Sequence, residues 1–102
     1  MLGGDKTICV RIYRKGTEVL LAACDNDILG KKFRDGELRI ECGSFYDGQE
    51  VTAEEFVQRM GEVTIANLVG ERTVRAAIDA GFVDESCVIW IDKVPHAQMV
   101  VM

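Results

Sequence analysis

Ile8-Cys9-Val10-Arg11-Ile12-Tyr13-Arg14-Lys15-Gly16-Thr17-Glu18-Val19-Leu20-Leu21-Ala22-Ala23-Cys24 is the stretch that decides the fold. Ile8, Val10 and Ile12 alternate with Cys9, Arg11 and Tyr13, the period-2 signature of a strand with one buried face. Lys15-Gly16 supplies a turn into the second run, Glu18 to Cys24, so the chain opens with a β-hairpin. Asp25-Asn26-Asp27 interrupts it, and Ile28 to Arg34 reads as a turn or one short helical segment. After the Asp35-Gly36 turn signal, Leu38, Ile40 and Cys42 alternate with Glu37, Arg39 and Glu41 as an amphipathic strand. Asp47-Gly48 reads as the turn of a second small hairpin.

The middle of the chain reads as helical. Thr52 with Glu55 forms a capping box and Val51 with Phe56 a hydrophobic staple, so a helix starts at Thr52 and buries Phe56, Val57 and Met60. From Gly61 to Gly81 the spacing predicts further helix, with Ile65, Leu68 and Val69 on one face, then Val74, Ala77 and Ile78, divided at Gly70. Gly81 suits the left-handed position after a helix, with Phe82 folding back on the last turn. Asp84-Glu85-Ser86 makes a turn, and the continuous run Cys87 to Ile91 predicts a strand covered on both faces. Ala97 to Met102 has the composition of a last strand, whose apolar end needs cover from this chain or another. The expected fold is α+β, a mainly antiparallel sheet with two or three helices packed on one face. Residues 1–102 are expected to form one domain, with 1–5 a loosely held tail.

Bulk properties narrow the function. A chain of 102 residues buries roughly two thirds of its unfolded surface and needs no cross-links to fold. No apolar run approaches the ~20 residues of a membrane span, and the N-terminus lacks the basic start and apolar stretch of a secretory signal. A cytoplasmic protein without a membrane partner is expected. Cys9, Cys24, Cys42 and Cys87 form no CxxC pair and lie in or beside strand-like runs, so all four read as buried, reduced thiols. No metal site and no cofactor are indicated.

Net charge is −5, unevenly spread. Residues 1–34 carry seven Lys/Arg against four acids, while residues 35–62 carry eight acids against Arg39 and Arg59. Overall acidity disfavours autonomous, tight nucleic-acid binding. A local basic face remains in the N-terminal third: Arg11, Lys31, Lys32 and Arg34, with Phe33 or Tyr13 as a stacking face.

Three further constellations carry chemistry. A thiol paired with His96, the only histidine, is disfavoured because Cys24, Cys42 and Cys87 sit beside acids. General acid/base work by His96 with Glu71 or Asp92 has the right residue types, but acids are abundant here and a turn histidine bonded to backbone is the favoured reading. Gly70-Glu71-Arg72-Thr73 would present backbone N–H groups and a guanidinium at a helix N-terminus, which favours an anion. The only proline, Pro95, stiffens the chain that presents His96.

Val10-Arg11-Ile12-Tyr13, Val19 to Asp25, Leu29-Gly30-Lys31, Thr64 to Glu71 and Val94-Pro95-His96-Ala97-Gln98 together resemble an archaeal family of small proteins, domain of unknown function 424. The resemblance implies an archaeal, cytoplasmic α+β protein associated with translation and ribosome-related genes. Asn67, Gly70, Glu71, Pro95, His96 and Gln98 match the family pattern, and with Arg72 they would form one polar site where the Gly70 helix start meets a Pro95 turn. The leading expectation is a non-catalytic binding or adaptor module whose partner is a ribosomal or translation-factor protein, or RNA. The alternative is a small-molecule sensor or enzyme built around His96 and Glu71. A third is a structural subunit sealed as a homodimer by Met99 to Met102.

Overall fold

The computed structural model describes residues 5–101, so most of the expected 1–5 tail and Met102 lie outside the described residues. Strands β1 (Ile8–Lys15) and β2 (Glu18–Asp25) form the opening hairpin, paired from Ile8↔Asp25 to Lys15↔Glu18. A small hairpin follows, β3 (Lys32–Asp35) with β4 (Leu38–Glu41). Then come β5 (Gln49–Val51), helix α1 (Ala53–Met60), β6 (Ile65–Val69), helix α2 (Glu71–Asp79), β7 (Ile89–Ile91) and β8 (Val94–Val100). Six strands make one sheet in the order β5-β1-β2-β6-β8-β7, antiparallel at every pair except β2 with β6. This is the expected α+β class, with two helices and a mainly antiparallel sheet.

Alternation along the strands sorts side chains onto two faces. On one face Ile8, Val10, Leu21, Ala23, Ala66, Leu68 and Ala97 meet Phe56 and Met60 of α1 and Val74 and Ala77 of α2. On the other, Cys9, Ala22, Cys24 and Val69 are covered by Cys42 and Tyr46, with Ile28, Leu29, Phe33 and Ile40 packed around them. The segment between β2 and β5 is therefore a lid on the second face.

The helix start is as the sequence reads. The Thr52 hydroxyl accepts from Glu55 N at 3.1 Å and Glu55 Oε1 accepts from Thr52 N at 3.0 Å. Val51 and Phe56 are fully buried, while Val57 is half-buried. These bonds hold the Glu55 carboxyl below its ordinary range. Its folded pKa is depressed, so its contribution is present above the ordinary carboxylate range and is lost as pH falls through the lowered value. Asp84, lowered by the Ser86 backbone N–H, behaves alike. Replacing Thr52 by Ala should cost about 1 kcal/mol in denaturant titrations, through loss of the hydroxyl that caps Glu55 N.

Five expectations are corrected. Ile65–Val69 is strand β6, not helix. A strand between two neighbours carries a near-continuous apolar run with no period of its own, and such a run also satisfies i, i+3, i+4 spacing. Part of the 28–34 segment is strand β3, which finds its partner only across the Asp35-Gly36 turn. Asp47-Gly48 closes no hairpin. Gly48 presses onto the Val10 carbonyl, where a Cβ would strike backbone, and Gln49–Val51 pairs with β1 instead.

The run Cys87 to Ile91 is not covered on both faces. Only Ile89–Ile91 is strand, it lies at the sheet edge, and Cys87 is exposed. Finally, Pro95 and His96 lie inside β8 rather than in a turn; the turn is Asp92-Lys93, at φ 50° and 67°. Proline is accommodated because its backbone faces past the end of β6, where the Pro95 carbonyl accepts from Gly70 N at 2.9 Å.

The thiols divide accordingly. Cys9, Cys24 and Cys42 are buried. Burial and the carboxylates of Glu50 and Asp47 push Cys9 up, and contact with Cys42 together with burial does the same for Cys24. A thiol-specific reagent at pH 8 should therefore modify one group quickly, and Cys87→Ser should abolish that phase. Fast reaction of two or more thiols in the folded protein would contradict this burial.

Candidate functional site

Gly70 stands between β6 and α2 at φ 109°. A helix that begins directly from a strand leaves its first N–H groups without partners. Here one carboxylate supplies them. Asp25, the last residue of β2, is 5% exposed and accepts from Arg72 N at 3.1 Å, Thr73 N at 2.9 Å and the Thr73 hydroxyl at 2.8 Å. A Cβ on Gly70 would fall 2.5 Å from Asp25 Cγ and Oδ1. The expected anion position at the start of α2 exists, and the chain's own carboxylate fills it. Arg72 turns to Asp27 at 3.1 Å, an exposed pair of small energetic weight. Gly70, Glu71, Arg72 and Pro95 share a cleft of about 260 Å³ with Asp25, Asp27 and Lys93.

His96, Asn67 and Gln98 are elsewhere. Pro95 and Ala97 face the helices, so His96 and Gln98 point to the second face. The registers Arg11↔Ala22, Ala22↔Asn67 and Asn67↔Gln98 set Arg11, Ala22, Asn67 and Gln98 in one row across four strands. His96 belongs to the next row with Cys9, Cys24 and Val69. The polar site expected to join His96 with Glu71 and Arg72 is thus divided by the sheet. The divider is the alternation of β8, which sends Pro95 and His96 to opposite faces. His96 Nδ1 lies 3.0 Å from the Leu68 carbonyl, and since a carbonyl only accepts, Nδ1 carries the proton. Asn67 Oδ1 accepts from the Tyr46 hydroxyl at 2.7 Å, which pins the lid to the sheet.

The basic residues also separate. Arg11 donates to the Ser44 carbonyl at 3.2 Å and lies 5.1 Å from the Tyr13 ring centre, and Tyr13 stacks on Phe45 at 5.1 Å. Lys32 and Arg34 sit on the hairpin, with exposed Lys31 just before it. Phe33 and Ile40 turn inward to the second-face cluster, so Lys32, Arg34, Arg39 and Glu41 form the outer face. Lys32 is opposite Glu41 at 4.0 Å, and Arg34 is directly opposite Arg39. Arg39 was hidden in the sequence because it lies in the acidic third. Pairing the strands across Asp35-Gly36 would have placed it against Arg34.

Fold and surface together define an α+β sheet protein with helices on one face and, on the other, a lid whose hairpin turns Lys32, Arg34 and Arg39 with Glu41 to its outer face and keeps exposed Asp35 and Glu37 at its turn. The chain belongs to the family described as "Protein of unknown function (DUF424)", whose model matches residues 13–102. It is also similar to a crystal structure of an uncharacterized conserved protein from Methanopyrus kandleri. That match has a TM-score of 0.78 and 27% identity, over 93% of this chain and 91% of that chain. No curated protein matches. No helix among the described residues is long and apolar enough to cross a membrane.

Proposed function

We propose that the protein is a non-catalytic binding module of the translation apparatus, and that it docks through the outer face of the β3–β4 hairpin onto RNA phosphates. The carrying observation is the placement of Arg34 directly opposite Arg39, next to Lys32. Like charges facing each other across a strand pair are unfavourable, and an anion laid between them reverses the sign of the term. Lys31 extends the same surface. The chain's net charge of −5 opposes binding to a polyanion in general, so contact depends on a local cluster of cations such as this one.

The alternative, a small-molecule site around His96 and Glu71, is weakened by the sheet that separates their side chains. A tagged protein incubated with an archaeal lysate should recover ribosomal RNA and its bound proteins, and joint reversal of Lys31, Lys32 and Arg34 to Glu should abolish recovery. Unchanged recovery by that variant would overturn the proposal.

A further inference from the structure

Edge strands expose unpaired backbone, and natural sheets guard them with charge. The β5 edge follows this rule: Gln49 and Glu50 are exposed. The opposite edge does not. β7 is Ile89-Trp90-Ile91, with Ile89 49% and Trp90 56% exposed on opposite faces of the sheet. Exposure on both faces of one strand is the mark of a missing neighbour beside it rather than of a missing layer above it.

The hydrogen-bond pattern locates the vacancy. The two-residue turn Asp92-Lys93 makes Ile91↔Val94 an exchanging pair, and Ile89↔His96 the next. Trp90↔Pro95 is then a non-bonded pair, as it must be, since proline has no N–H. The Trp90 N–H and C=O therefore face away from β8.

Beside this edge runs a groove of about 360 Å³ between α2 and the β7–β8 hairpin. Val74, Ile78, Val88, Trp90 and Pro95 make its apolar floor. Its rim carries Glu71 and Glu85 with Arg72 and Arg75, two of each sign. A uniformly charged partner would meet two like charges there. With Arg72 paired to Asp27 and Arg75 to Glu85 inside the chain, the rim has no net charge, so two identical copies related by a two-fold axis approach without the repulsion that a single-signed rim would impose.

We propose that two copies pair antiparallel through β7, with the axis beside Trp90, to give one continuous twelve-stranded sheet. Each Trp90 donates its N–H to the carbonyl of the other and accepts in return, the narrow pair of an antiparallel ladder. The two indoles lie side by side on the helix face, and on the second face the other copy's strand covers the exposed side of Ile89, Ile91 being already buried within its own chain. This contact lies on the sheet edge and is distinct from a seal made by Met99 to Met102.

Trp90 is the only tryptophan, so its emission reports the contact directly. Sedimentation equilibrium over a dilution series should show a monomer–dimer equilibrium, with the emission shifting to longer wavelength as dimers dissociate. Ile89→Lys and Trp90→Lys, both at exposed positions, should each raise the dissociation constant by roughly 100-fold through an unpaired charge at the contact. Their melting profiles at low concentration should stay that of the wild type. Removal of residues 99–102 serves as the competing variant. A monomer at every concentration would overturn the proposal, as would a dimer that survives both lysine variants or is lost only on the C-terminal truncation.

Discussion

Gly70→Ala is expected to lower the unfolding free energy by about 2–5 kcal/mol, read from urea titrations followed by far-UV circular dichroism. Two costs combine. A φ of 109° is open to glycine and costs an L-residue on the order of 1–2 kcal/mol. The added methyl also falls 2.5 Å from the Asp25 carboxyl carbon and oxygen, in a place where neither neighbour has room. Overpacking of that kind costs about 1–3 kcal/mol. The carboxylate cannot retreat, because three bonds to Arg72 and Thr73 hold it in place. Loss of less than about 1 kcal/mol would mean that the strand-to-helix junction is not as described.

Asp25→Ala should be nearly as damaging, at about 3 kcal/mol. It strips two backbone N–H groups and a buried hydroxyl of their acceptor, each orphan costing on the order of 1–3 kcal/mol before water enters. It also removes the negative charge from the positive end of α2. The two substitutions should be strongly non-additive. With the carboxylate gone, the Gly70 methyl no longer collides with it, and only the backbone cost of alanine remains. The double variant should be more stable than the sum of the single losses implies, by about 1–3 kcal/mol. Strict additivity would show that Gly70 and Asp25 do not touch.

The capping box at Thr52 and Glu55 was legible because its partners lie three residues apart, and the opening hairpin because its alternation and its turn are contiguous. The Asp25 cap was not legible. Its donors are 47 and 48 residues away, and an Asp at a strand end looks like any turn residue until β2 and β6 pair in parallel. Strand β6 was misread for the same reason, since its identity rests on neighbours from distant parts of the chain.

Among the candidate residues, Gly70, Glu71, Arg72 and Pro95 do share a cleft, while His96, Asn67 and Gln98 face the other way. The proline and histidine are adjacent in sequence, and within a strand adjacency means opposite faces. The basic surface was half legible: Lys31, Lys32 and Arg34 read directly, but Arg39 needed the β3–β4 register.

The proposal that the hairpin docks onto RNA phosphates is tested most directly by co-sedimentation with purified archaeal ribosomes across a salt series. Binding by the wild type should weaken steeply as salt rises, with log K falling linearly against log salt as phosphate contacts release counterions. The Arg34→Glu/Arg39→Glu variant should stay in the supernatant at every salt concentration while melting like the wild type. Absence of wild-type binding, or equal binding by the variant, would contradict the account.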